Sequence, residues 1–269
     1  MRLVKELLHR WWFLVLVLFP QVIPPYTTKG YEFYDWGLVN AYILTHPIKS
    51  IFSEYSLFFQ VTPLLLIVLI FIAGRKMSRI FNAYVSICYF IIAFVQSISI
   101  TDRYGFSVCT ANLLSFMILA RFWFYESLFP KSQLVIRKPI SLQSILLLVS
   151  FIPFSCPINP ITLLPDFNPL NIFTSGTGLS FCMVTPLFLS ILILSFPSVN
   201  QTVFVATSFM GVIIGIGNMV LEFIIYPEYW WIGILHIPLF IISSYGLWLS
   251  FNDILLQVRH MNNSSLSKL

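Results

Sequence analysis

With 269 residues, 58% of them apolar and only 9% charged, the chain has far fewer charges than the roughly 25% of a soluble domain. A water-soluble fold is excluded, and the length leaves no stretch for a second folded unit, so 1–269 is read as one all-α integral membrane domain. The formal net charge of +5 does not point to nucleic acid, because the basic residues stand in short clusters between apolar runs, where they set topology.

About 20 apolar residues at 1.5 Å per residue cross a hydrocarbon layer. Eight candidate spans follow: 11–26, 56–74, 80–101, 106–129, 139–154, 178–196, 202–226 and 230–251. The first comes after Arg2, Lys5 and Arg10 and ends in Pro20-Gln21-Val22-Ile23-Pro24-Pro25-Tyr26. That tail lacks the small residues of a cleavage site, so the span is expected to stay uncleaved. Trp36 to Leu44 is apolar but too short to cross, and is expected to rest on the membrane surface outside. The second and third spans flank Arg75, Lys76 and Arg79. The fourth carries Arg121 and Glu126 near its far end; five residues apart, they do not share a helix face, and both are expected to snorkel, with pairing across the bundle the alternative for the deeper Arg121. The fifth is short and opens on Pro139, which suits a first helical turn.

The connection 153–177 holds Pro153, Pro157, Pro160, Pro165 and Pro169, with Asp166 its single charge. Proline excludes regular helix there. Its apolar character predicts that it folds back on the outer mouth of the bundle, shielding Ile161, Leu163, Leu164 and Phe167. Thr174-Ser175-Gly176 then opens the sixth span with cap residues whose free N–H groups attract anions. The seventh span contains Gly211 and Gly215 at the GxxxG spacing of close helix packing. Beyond the eighth, 252–269 reads as a cytoplasmic tail.

Eight crossings with an inside N-terminus put Arg2, Lys5, Arg10, Arg75, Lys76, Arg79, Lys131, Arg137, Lys138, Arg259 and Lys268 inside. Only Lys29, Lys49 and Arg103 fall outside, as the positive-inside rule requires. In that frame polar residues gather in the outer half: Gln96, Cys109, Asn112, Cys182, Asn218, Glu222 and His236. Such a layer is expected to be a functional site, the alternative being that these groups bond one another between packed helices. The binding candidates are Glu222, His236, Asn218, Gln96, Asn112, Cys109, Thr174, Ser175 and Gly176, with Glu222 and His236 expected to pair across adjacent helices. No catalytic residue, metal or cofactor is assigned, and no CxxC spacing occurs. A disulfide between Cys156 and Cys182 is geometrically conceivable, although free thiols are the default.

Missing residues narrow the function. A lone intramembrane histidine excludes paired haem ligation, the eighth span has no lysine for retinal, and neither GxSG nor HExxH occurs. The expectations that remain, in order, are permease-like handling of a small solute or ion from the outer face, a non-catalytic membrane subunit, and an outer-leaflet enzyme. The expected partners are the lipid bilayer and membrane subunits or further copies of the chain, with no nucleic acid.

Overall fold

A computed structural model describes residues 11–48, 54–135, 142–155, 159, 164–166, 168–170, 173 and 176–266; for Leu142 and 259–266 it describes the backbone alone. The fold is predominantly helical. Three helical runs, Ser56–Val95, Gln201–Ile225 and Pro227–Val258, are long and apolar enough to cross a bilayer, and Gln143–Phe154 and Phe181–Ser195 are shorter apolar helices. The chain therefore has the helices of a membrane protein.

The first segment is not a continuous helix. After a turn at 12–13 it holds α1 (Leu14–Leu18), followed by one 3-10 turn, Phe19–Val22, whose entry is set by Pro20. Proline has no N–H to continue the helical ladder, and Pro24 and Pro25 follow. After a two-residue strand β1 (Tyr26–Thr27) comes α2 (Trp36–Thr45). Then α3 (Ser56–Ala73) and α4 (Ser78–Val95) fold back on each other through a 3-10 turn at Gly74–Met77. Gly74 adopts φ 52°, a conformation open to glycine, and the reversal brings the Tyr84 hydroxyl to the Phe59 carbonyl at 3.4 Å.

Sequence reading carries the third span to 101 and begins the fourth at 106. Instead β2 (Ile98–Thr101) and β3 (Gly105–Val108) form a hairpin, with β1 completing an antiparallel sheet in the order β1-β3-β2. The turn, Asp102-Arg103-Tyr104-Gly105, ends on a glycine at φ 67°. It is followed by α5 (Thr110–Leu128), α6 (Leu142–Phe154), α7 (Phe181–Ser195), α8 (Gln201–Val220), a π-helical turn (Leu221–Ile225) and α9 (Trp230–Leu266). The last helix continues well past 251, where the eighth span was expected to end. Outside the apolar window an i,i+4 bond from Gln257 to Asp253 (2.8 Å) supports it.

Side-chain contacts order the segments between two ends of the bundle. At the sheet end, Gln60 of α3 donates to Thr177, Thr177 donates to the Phe154 carbonyl of α6 (2.6 Å), and Gln96 of α4 meets the start of α7. At the opposite end, beside Arg75, Lys76 and Lys131, Glu126 of α5 meets Asn200 before α8. The core is centred on α7, whose every residue is buried. Around it an aromatic group joins Phe81, Tyr89, Trp123, Phe181 and Phe188, with Phe116 stacked on Phe181 at 4.6 Å.

Gly211 and Gly215 do pack inside the bundle. A Cβ on Gly211 would fall 2.1 Å from Ser243 Oγ, and one on Gly215 would lie 3.3 Å from the Phe240 backbone. Small residues here let α8 and α9 approach closely.

Three further expectations need correction. Helix α2 is not a free surface segment but packs on the sheet: Val39 and Ile43 are buried in a cluster with Tyr104 and Cys109. Glu126 does not snorkel but is 1% exposed, accepting hydrogen bonds from Lys131 N (2.8 Å), Ser132 N (2.6 Å) and Asn200 Nδ2. Arg121 alone of that pair is exposed. In the Pro-rich connection Leu164, Leu170 and Phe173 are exposed, not shielded. Its described residues include local side-chain-to-backbone bonds: Asn168 N to Asp166 Oδ1 (3.1 Å) and Leu170 N to Asn168 Oδ1 (3.0 Å). Ile161, Leu163 and Phe167 lie outside the described residues.

Candidate functional site

Helices α7, α8 and α9 meet at the sheet end. There α8 widens into the π turn, and Tyr226 N donates to Leu221 O (2.8 Å). A π turn inserts an extra residue into the helical ladder, and such turns are frequent at functional sites. Glu222 is its second residue. His236 sits in the second turn of α9, two residues before Pro238. Cys182 is the second residue of α7, whose N-cap, Ser180, offers no side-chain cap. In its place Gln96 Oε1 accepts the Phe181 N–H (3.1 Å), anchoring the first turn of α7 to α4.

These elements bring four polar side chains into one chain of contacts. His236 Nδ1 lies 2.8 Å from Glu222 Oε2 and 3.1 Å from the Ile232 carbonyl. Both are acceptors there, so Nδ1 carries the proton and donates. Asn218 Nδ2 lies 3.0 Å from His236 Nε2 and 3.1 Å from Cys182 Sγ. With Nδ1 protonated, a neutral imidazole leaves Nε2 as an acceptor, and the two Asn218 amide hydrogens serve nitrogen and sulfur separately. Cys182 and His236 are buried, while the Glu222 side chain is 13% exposed and forms the open edge. The Phe223 ring lies over Gly233, three residues before His236, where a Cβ would come within 2.8 Å of it.

Glu222, His236, Asn218 and Gln96 thus belong to one region. Asn112 takes part in none of these hydrogen bonds, and Cys109 belongs to the separate cluster under α2. Thr174 and Ser175 lie outside the described residues. Gly176, at φ 65°, caps the 3-10 turn Thr177–Leu179 and not α7. The anion-binding helix start expected there is displaced to Ser180–Phe181, where Gln96 already occupies the first N–H. Cys182 is a free thiol; Cys156, its conceivable disulfide partner, lies outside the described residues.

Sequence reading places Cys182 in the polar layer but not among the binding candidates. Its closeness to His236 depends on the rotation of α7, whose hydroxyls, Thr185, Ser190 and Ser195, mark no single face and give no periodicity to read. Among the described residues no group of three or more His, Cys, Asp and Glu is placed to hold a metal ion. Comparison of the chain with protein-family models, curated proteins and solved structures gives no match.

Proposed function

We propose that the chain is a multi-pass membrane protein with eight membrane segments, both termini inside, and an outer-half thiol centre that transfers or hydrolyses acyl groups. One observation carries this reading: carboxylate, imidazole and thiol occur in the order Glu222, His236, Cys182, with Nδ1 turned to the carboxylate and Nε2 to the sulfur side. Nucleophile, base and orienting group have this polarity in acyl-transfer enzymes of unrelated fold. In the step, the Cys182 S–H proton passes to His236 Nε2 as sulfur attacks the acyl carbon. The C–S bond forms, and the leaving group departs with the proton from His236. A water or another acceptor then releases the acyl group and restores the thiol. Glu222 fixes the imidazole tautomer. The Asn218 amide, which contacts both sulfur and Nε2 at rest, would donate to the developing oxyanion on turning toward it.

Permease-like passage is supported less well. Below the centre α7 continues as Leu187, Phe188, Leu189, Ile191 and Leu192, all buried, and two of its hydroxyls, Thr185 and Ser190, are engaged by Tyr89 and the Leu146 carbonyl. A non-catalytic membrane subunit is the second reading, favoured by the burial of Cys182 and His236. The alternation of segments between the two bundle ends supports eight crossings, and the basic residues opposite the sheet favour an outer sheet.

The test is acylation of the purified protein in nanodiscs by a p-nitrophenyl acyl ester, read by mass spectrometry. A hydroxylamine-labile adduct should form on Cys182, and His236→Ala should slow it by about 10²-fold or more, the usual contribution of a general base. No adduct, or one indifferent to His236 and Glu222, overturns the reading. Maleimide labelling of cysteines placed at 198–201 should occur from inside only; labelling from outside overturns the eight-segment topology.

A further inference from the structure

The β-sheet is built inside out for a protein surrounded by water. Its register pairs Thr27 with Ser107 and Ser107 with Ser99, so these hydroxyl residues share one face. That face is the covered one. Ser99 and Ser107 are fully buried, Ser99 Oγ donates to the His46 carbonyl at the end of α2 (2.6 Å), and Ser107 Oγ donates to the Ser99 carbonyl (3.2 Å). The opposite face carries Tyr26, Ile98, Ile100, Phe106 and Val108. Ile100 is 70% exposed, Tyr26 56% and Phe106 42%, with the Tyr26 and Phe106 rings 6.5 Å apart. A sheet with one face in water shows the reverse pattern, polar residues out.

We infer that this apolar sheet face lies on the lipid of the leaflet at its own end of the bundle, seating the hairpin in the membrane interface. Two observations choose lipid over another protein. First, the face continues a lipid-facing stripe. Ile87, Phe90 and Phe94 are exposed along one side of α4, and the next exposed side chain in the chain is Ile100, in the strand that starts three residues after α4 ends. Second, the turn beside it is cationic and aromatic. The Arg103 guanidinium sits over the rings of Tyr42 (5.4 Å) and Tyr104 (5.1 Å), and Lys29 Nζ donates to the Asp102 carbonyl. Tyrosines with adjacent cations suit the headgroup layer, where ring, hydroxyl and phosphate meet. The sheet takes the surface role that sequence reading gives to Trp36–Leu44, and α2 lies on its far side. This inference does not depend on the thiol centre.

Single cysteines at Ile100→Cys, Phe106→Cys and Arg103→Cys, in a chain with its native cysteines replaced, are labelled with a nitrobenzoxadiazole fluorophore in phosphatidylcholine nanodiscs. Lipids brominated on the acyl chains should cause loss of emission at 100 and 106 but little at 103, and aqueous iodide the reverse. Iodide quenching at 100 and 106 overturns the inference, and so does shielding from both quenchers, which would mean a protein covers the face. If cysteine replacement unfolds the chain, hydroxyl-radical footprinting of the unaltered protein decides. Relative to Tyr34, which is 95% exposed, Tyr26 and Phe106 should be modified in nanodiscs far below the ratio set by their own exposures of 56% and 42%; modification at that ratio overturns the inference.

Discussion

Glu126 and Asn200 should be exchangeable as a pair but not singly. The Glu126 carboxylate ties the loop after α5, through Lys131 N and Ser132 N, to the turn before α8, through Asn200 Nδ2. Asn200 cannot reverse its amide, because its Oδ1 caps α8 by accepting Thr202 N (3.0 Å). Glu126→Gln therefore sets an NH2 against an NH2 and loses one charge-assisted bond, about 1.5–3 kcal/mol. Asn200→Asp sets carboxylate against carboxylate and should cost about 3–5 kcal/mol, as an uncompensated buried charge does. In the double variant the new amide at position 126 would donate to one oxygen of the new carboxylate at position 200, while the other oxygen keeps the α8 cap. Most of both losses should then return. The assay is thermal unfolding in detergent, where each kcal/mol shifts Tm by about 2–4 °C in a chain of roughly this size. Glu126→Gln alone should lower Tm by about 3–12 °C by the same conversion. A double variant as unstable as the two single losses combined would refute the hydrogen-bond assignment, since contacting residues couple by about 0.5–3 kcal/mol.

Gly178→Ala should destabilise by several degrees, because its Cβ would fall 2.3 Å from the Phe59 carbonyl oxygen; Gly217→Ala, with nothing within 4 Å, should stabilise by about 0.5–1 kcal/mol as helical Gly→Ala changes do. Gln96→Leu strands the Phe181 N–H and should cost about 1–3 kcal/mol in the same assay; it should also alter the alkylation rate of Cys182, and a rate equal to that of the unaltered protein would show that Gln96 does not set the start of α7. Trp123→Phe removes the buried Nε1 bond to Thr207 Oγ1 (3.0 Å) and should be less stable than Trp123→Phe combined with Thr207→Val, which leaves no orphaned hydroxyl.

What the sequence discloses depends on the distance over which each feature is determined. The helix reversal at Gly74 is readable from Arg75, Lys76 and Arg79, and the close α8–α9 seam from Gly211 and Gly215, because both are local patterns. The nearness of Glu222 and His236 follows from chain order, since consecutive antiparallel helices place residues either side of a short turn at the same depth. The hairpin escapes such a reading because Ile98-Ser99-Ile100-Thr101 and Gly105-Phe106-Ser107-Val108 are four-residue strands adjoining apolar helices. A window long enough to find a span averages their period of two away. Glu126 is misread because its partners are a loop and a cap, and Asn200 lies 74 residues away. The bridge from Asn218 to Cys182 is hidden for the same reason, joining helices at a rotation that only packing decides.

The complete enclosure of α7 has a mechanical consequence. Its 15 residues make a rod of about 22 Å, well short of the roughly 30 Å of hydrocarbon. A helix that touches no lipid has no mismatch to relieve, so a thicker or thinner bilayer exerts no direct pull on it. Its neighbours differ: α8 and α9 expose Ile216, Val220, Ile241 and Trp248 and must tilt or slide as the bilayer changes. Cys182 rides on the insulated rod, whereas Asn218, Glu222 and His236 ride on helices coupled to the lipid. Acyl-chain length in the surrounding membrane thereby becomes a lever on the distance between the thiol and its partners.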